Sequence, residues 1–146
     1  MDSKDSSNVI TIDGKDAIVG RLAAFVAKQA ISGKSINIIN IEHAVISGHI
    51  KQIVEVYRNR RSVTNYSNPE KAVKWSRRPD LLFKRIMWGM LPATSRGKAA
   101  ASRVRAYVGN PFGSKGTKFA KTSKDLNHNY ASLKEICTSL GWSAKV

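Results

Sequence analysis

The side chains able to do chemistry here are cations, and they crowd into one part of the chain. Residues 51–121 hold Arg58, Arg60 and Arg61, then Lys71, Lys74, Arg77 and Arg78 around Trp75. They continue with Lys84, Arg85, Arg96, Lys98, Arg103 and Arg105, and close with Lys115 and Lys118. That stretch carries 17 Lys and Arg against 3 Asp and Glu, whereas residues 1–50 balance 5 against 5 and residues 122–146 hold 3 against 2. The net charges are +14, 0 and +1, so nearly all of the formal +15 lies in the middle. Guanidinium and ammonium groups bind phosphate oxygens by charge-assisted hydrogen bonds, and a run of them displaces condensed counterions from a polyanion. Such segregation fits one protein face laid on nucleic acid, because charge present only for solubility gains nothing from being one-sided. Trp75 among its four cations has two readings: it stacks on an unpaired base or ribose while its neighbours hold phosphate, or it plugs the edge of the core.

Other chemistries find little support. Gly33-Lys34-Ser35 ends like a phosphate-binding loop, but the earlier glycine of that motif falls on Lys28, and the residues lead from a helix into a strand rather than the reverse. His43, His49 and His128 lack metal-ligand spacing, and no nucleophile elbow accompanies the scattered Ser, His and Asp. We therefore expect no enzyme, no cofactor, no metal and no small-molecule substrate. Cys137 is the only cysteine, which excludes an internal disulfide and suits a reducing compartment; it falls on an apolar helical stripe and reads as core. No run approaches the ~18 apolar residues of a membrane span, and the polar start MDSKDSSN lacks the form of a signal peptide. The expectation is a soluble cytosolic or nuclear protein with no membrane partner.

A chain of 146 residues suits one domain, which at this length buries roughly 68–70% of its unfolded surface. Val9 to Ile12 form a β-branched run closed by Asp13-Gly14, a first strand. From Asp16, the residues Ile18, Leu22, Phe25, Val26 and Ala30 share a helical face that Ser32-Gly33 stops. Gly20 inside that helix costs about 1 kcal/mol relative to Ala, which predicts close packing on the sheet there. In SINIINIE, Ile36 and Ile38 face one way and Ile39 and Ile41 the other, as in a strand covered on both faces, so strand, helix and strand form a βαβ unit. AVISG continues this core, and a helix from His49 to Arg61 follows, with Ile50, Ile53, Val54 and Tyr57 as its stripe.

Pro79 opens a further helix whose apolar face is Leu82, Phe83, Ile86, Met87 and Met90, ended by Gly89 to Pro92, with Lys84 and Arg85 turned outward. Val104, Ala106 and Val108 alternate with Arg103, Arg105 and Tyr107, so a strand there sets apolar groups on one side and cations on the other. Gly20, Gly89, Pro92 and Gly97 are expected to shape the backbone. Residues 62–78 and 110–121 are too polar to fold alone and should order on binding. At the end Tyr130, Leu133, Ile136, Cys137 and Leu140 share a helical face, with Ser132 and Glu135 as a capping box and Gly141 as the stop. The expected organisation is a single domain over 1–146: a flexible start at 1–8, an α/β core at 9–109, a basic arm at 110–124 and a C-terminal helical tail at 125–146.

Three segments are similar to a known family: VITIDGKDAIVGRLAAFVAKQAISGKSINIINIE at 9–42, AVISG at 44–48, and RRPDLLFKRIMWGMLPATSRGKAAASRVRAYVGNP at 77–111. They resemble the L thirteen family of large-subunit ribosomal proteins in its eukaryotic form, L thirteen a, and YASLKEICTSLGW at 130–142 resembles the eukaryotic tail. The resemblance implies a three-layer α/β/α fold around a mostly parallel four-stranded sheet. It also implies binding to large-subunit rRNA beside neighbouring ribosomal proteins, and a part in subunit assembly and translation. The place of work would be the cytoplasmic ribosome, with nucleolar assembly in a eukaryote. Trp88 stands before Gly-Met-Leu where the family commonly has Arg, and the chain ends four residues after Trp142 where eukaryotic members continue as a basic helix. An RNA-binding regulatory factor off the ribosome would need the same basic face, while an RNA- or nucleotide-modifying enzyme would use the βαβ half as a cofactor site.

Overall fold

The computed structural model describes residues 9–113 and 115–143, so the start expected to be flexible lies outside the described residues. Strand β1 (Val9–Asp13), helix α1 (Val19–Ile31) and strand β2 (Ser35–Ile39) form the βαβ unit, with Ile10 paired to Ile36 and Ile12 to Ile38. Helix α1 begins later than the apolar spacing suggests, because Asp16 takes a left-handed turn (φ 58°) and Ala17 and Ile18 are spent on bridges to Thr122 and Val45. Strand β3 (Val45–Ser47) and helix α2 (Ile50–Ser62) come next, followed by α3 (Pro79–Trp88), α4 (Ser95–Ser102) and β4 (Val104–Ala106). Strand β5 (Thr117–Lys118), strand β6 (Tyr130–Ser132) and helix α5 (Leu133–Ser139) complete the chain.

The fold is α/β: the central sheet has the order β4-β2-β1-β5, and every pairing in it is parallel. Its apolar face carries Ile12, Ile36, Ile38 and Val104, packed with Leu22, Ala23 and Val26 of α1 and Leu82, Phe83 and Met87 of α3. Burial of each of these side chains other than Ala23 contributes about 1.5–3 kcal/mol. Thr11, Asn37 and Arg105 stand in register on the opposite face. Of the two isoleucines expected there, Ile39 does lie on it, but Ile41 does not. Asn40 in the left-handed region (φ 54°) ends the strand, and Ile41 opens a short 3-10 turn that returns it to the main core.

A second sheet pairs β3 with β6 antiparallel, and α5 packs on α2, on α3 and on the 3-10 turn at Ile41–His43. The C-terminal segment therefore folds onto its own domain, with Trp142 against the core. It is less helical than expected. Tyr130 belongs to β6 and is exposed, while Leu133, Ile136 and Cys137 fill the inner face of α5. The capping box is present: the Ser132 hydroxyl accepts from the Glu135 amide at 3.2 Å, and the Glu135 carboxylate accepts from the Ser132 amide at 3.1 Å. The basic arm also departs from expectation. Thr117–Lys118 adds the fourth strand beside β1, Phe119 packs on Phe25 at 5.6 Å between ring centroids, and Thr122 with Asp125 caps a further 3-10 turn.

Candidate nucleic-acid interface

Helix α2 delivers cations to its own C-terminus because its inner stripe ends at Tyr57, leaving Arg58, Arg60 and Arg61 around the last turn, where positive charge also suits the helix dipole. Trp75 comes back against this end. Its ring lies 5.9 Å from that of Tyr57, with the Arg60 guanidinium 5.2 Å and the Arg85 guanidinium 5.5 Å from its centroid. Arg60 also sits 5.5 Å over Tyr57. Trp75 thus does plug a core edge, half-buried against two arginines from different helices, while part of it also lines an open groove. Burial pushes the Tyr57 phenol above its ordinary pKa, with Arg60 opposing that shift.

Some cations are committed inside the protein. Arg61 is half-buried and donates to the Leu140 carbonyl at 3.4 Å, tying the end of α2 to the end of α5. Arg78 makes a two-pronged pair with buried Asp80, Nε to Oδ1 at 3.2 Å and Nη2 to Oδ2 at 2.8 Å. Arg103 corrects the alternation argument: it follows α4 rather than lying in β4, is half-buried, and donates to the Ala30 carbonyl at 3.3 Å near the end of α1. Val108 is likewise exposed rather than on an inward apolar row, and Met90 lies past the end of α3 and is exposed.

The remaining expected residues face solvent. Arg58, Lys71, Lys74, Arg77, Arg96, Lys98, Arg105, Lys115 and Lys118 are exposed, and Lys84 is half-buried. Lys71 lines one groove with Arg60 and Trp75, so α2, the 62–78 loop and α3 form one cluster. Arg96 and Lys98 stand on α4, which packs on α1. Lys118 pairs with Asp13, so it shares the polar sheet face with Arg105, but the two occupy opposite edges, about 14 Å apart across four strands. Among the described residues, Arg78 to Asp80 is the one ion pair between an Arg or Lys and a carboxylate. The backbone residues divide. A Cβ at Gly97 would meet the Pro92 carbonyl oxygen at 1.9 Å, whereas one at Gly20 would have nothing within 4 Å. Gly20 is exposed, so the close packing expected of it is absent. Gly89 caps α3 in ordinary helical geometry.

The family model for ribosomal protein L13 matches residues 7–112. The chain belongs to the ribosomal protein L13 family. It is 41% identical over 135 residues to the large ribosomal subunit protein uL13 of Natronomonas pharaonis, with 90% of each chain covered. It is 36% identical over 143 residues to the uL13 of Aeropyrum pernix, covering 94% of this chain and 92% of that one. With the uL13 of Methanocaldococcus jannaschii it shares 40% identity over 133 residues, 89% and 96% covered. These relatives are archaeal, so the resemblance holds for the L13 family and is not supported for its eukaryotic form.

Sequence reasoning passed over Tyr66, which is 96% exposed, and Val63 and Val73, at 71% and 53%. Their signal was an absence of period: large apolar side chains in a segment with no amphipathic pattern have no core to enter. Trp88, the departure before Gly-Met-Leu, is 51% exposed at the end of α3 and presents an indole to solvent.

Proposed function

We propose that this chain is a structural constituent of the large ribosomal subunit, binding its rRNA through the exposed cations of residues 51–121 and supporting subunit assembly and translation. The observation that carries the reading is the near absence of internal neutralisation. A segment of net +14 with a single Arg–carboxylate pair among the described residues repels itself until an outside polyanion supplies the counter-charge. Its contacts would come from Arg58, Arg60, Lys71, Lys74, Arg77, Lys84, Arg85, Arg96, Lys98, Arg105, Lys115 and Lys118. Arg61, Arg78 and Arg103 would contribute through charge not spent on their internal partners. Trp75 acts by holding Arg60 and Arg85. Adjoining ribosomal proteins are the natural partners of exposed apolar groups such as Trp88. The role is structural and not enzymatic. The site of action is the cytoplasmic ribosome, preceded by nucleolar assembly if the cell is eukaryotic. Among the described residues, no helix is long and apolar enough to cross a membrane.

Two measurements test this. Tagged protein sedimented from its own lysate should migrate with large subunits and stay there after a high-salt wash; signal at the top of the gradient in both salts would reject an integral ribosomal role. Affinity of the isolated chain for large-subunit rRNA should fall with salt, with a log–log slope of roughly −4 to −5 if six cations touch phosphate. A slope near zero would remove the phosphate mechanism.

A further inference from the structure

We infer that the groove between the end of α2 and the 63–73 segment takes one unpaired nucleotide of RNA, its base against the apolar wall and its phosphate against Arg60 and Lys71. This rests on the rRNA-binding reading above and specifies what one part of that surface recognises. The groove measures about 570 Å³ and is walled by Val63, Val73 and Trp75, with Asn65, Arg60 and Lys71 supplying polar groups. That size lies within the roughly 300–1,000 Å³ of sites that enclose small ligands.

Three features favour an unpaired base over a duplex. Val63 and Val73 hold apolar surface open to water beside cations. A base face removes such surface from water, whereas a duplex keeps its base faces stacked and presents sugar and phosphate. Arg60 is already immobilised over Tyr57 and Trp75, so its charge is presented with little further ordering. Tyr66, directly after the lining Asn65, is almost wholly exposed and makes no ring contact among the described residues, which leaves its face free to stack on a base. Charge chooses between an RNA occupant and an apolar segment of a neighbouring protein. Arg60 and Lys71 line the groove and, among the described residues, no carboxylate does, in the segment that carries +14.

The test uses the full chain with three probes: a labelled uridine hexamer, a short RNA duplex and large-subunit rRNA. Tyr66→Ala and Val73→Ser alter exposed side chains without changing charge, so both variants should melt with the unaltered protein. Each is expected to weaken hexamer binding about tenfold while leaving duplex binding unchanged. Unchanged hexamer affinity in both variants, with rRNA still bound by the unaltered chain, overturns the groove assignment and leaves the rRNA reading standing. Failure of the unaltered chain to bind rRNA overturns both. Variants that bind every RNA normally but are lost from purified subunits would assign the groove to a neighbouring protein and overturn the inference.

Discussion

Replacing Gly97 with Ala should destabilise the protein, while the same replacement at Gly20 should stabilise it. At position 97 the added Cβ would lie 1.9 Å from the Pro92 carbonyl oxygen, 3.0 Å from its carbonyl carbon and 3.2 Å from its Cγ. A carbon–oxygen contact needs at least 3.0 Å, so the turn at Pro92 and the start of α4 must part by about 1 Å. The obstacle is backbone and cannot swing aside as a side chain would. Overpacking of this kind costs about 1–3 kcal/mol, against a helix-propensity gain of up to about 1 kcal/mol, for a net loss near 1–2 kcal/mol. At roughly 2–4 °C per kcal/mol for a chain of this size, the melting temperature should fall by about 2–8 °C. Gly20 lies in the exposed first turn of α1 with open space around it, so Ala there should raise the melting temperature by about 2–4 °C. Circular-dichroism melts at fixed salt and pH give both values. Because α4 carries Arg96 and Lys98, the Gly97 variant should also lose rRNA affinity at temperatures where it remains folded. A Gly97 variant melting at or above the unaltered chain would refute the close approach. A Gly20 variant melting well below it would restore the packing expected from sequence.

The two arginines around β4 should separate by assay. Arg103→Ala loses the bond to the Ala30 carbonyl and should cost about 1 kcal/mol of stability, whereas Arg105→Ala should leave the melt unchanged and flatten the rRNA salt slope by about 1; equal melts for the two would sink the distinction. Added salt should raise the stability of the isolated chain while weakening its rRNA affinity, since screening relieves the repulsion within residues 51–121 and competes for phosphate; trends of the same sign in both assays would contradict it. Burial, reinforced by the Asp80 carboxylate, pushes the Cys137 thiol from its ordinary 9.0 up to about 12. The folded state then keeps a proton that the unfolded state has released, so this contribution is full below pH 9 and is lost as pH rises toward about 12. Urea midpoints should decline above pH 9, less steeply in Cys137→Val; identical declines would assign the effect elsewhere. Ser132→Ala removes the cap of α5 and should cost about 1 kcal/mol in the same urea assay, against no change if the cap were idle.

How much of this was legible in the sequence depends on where each element gets its partner. Strands β1 and β2 carry local signals, β-branched runs bounded by Asp13-Gly14 after the first and Ser32-Gly33 before the second; β1 formed where its signal lies, and β2 over the first part of its own, ending at Ile39. Strand β5 carries none. Thr117 and Lys118 are a strand because the open edge of β1 pairs with them, and only Phe119 hints that the segment has a place to dock. Tyr130 misled because the step from β6 to α5 falls between it and Leu133, where a three-residue spacing imitates a helical face. Arg103 misled because period-two spacing runs back through the end of α4, which claims that residue before the strand begins. The cation cluster was readable as composition, but not its division. Whether Trp75 meets a base or its own protein depends on Tyr57, Arg60 and Arg85, and their approach is decided by the packing of α2 and α3 rather than by neighbours in sequence.

The division among the cations follows from how the sheet separates folding from binding. One register of β1, β2 and β4 sets Ile10, Ile36 and Val104 in a row toward the helices and Thr11, Asn37 and Arg105 in a row on the other face, which buried Ile39 also shares. The neutral first 50 residues supply β1, α1, β2 and β3, so the centre of the fold assembles without bringing like charges together. The basic segment is then attached through apolar anchors, Tyr57, Leu82, Phe83 and Val104, with its charges left outside. A few cations have partners inside the protein: Arg61 reaches the Leu140 carbonyl and Arg103 the Ala30 carbonyl, each from another element, while Arg78 pairs with Asp80 in the first turn of the helix it opens. Arg61 thereby ties the end of α2 to the end of α5, and Arg103 the end of α4 to the end of α1. On the proposed function the exposed cations would meet phosphate, from positions that Arg61, Arg78 and Arg103 help to fix through their internal partners.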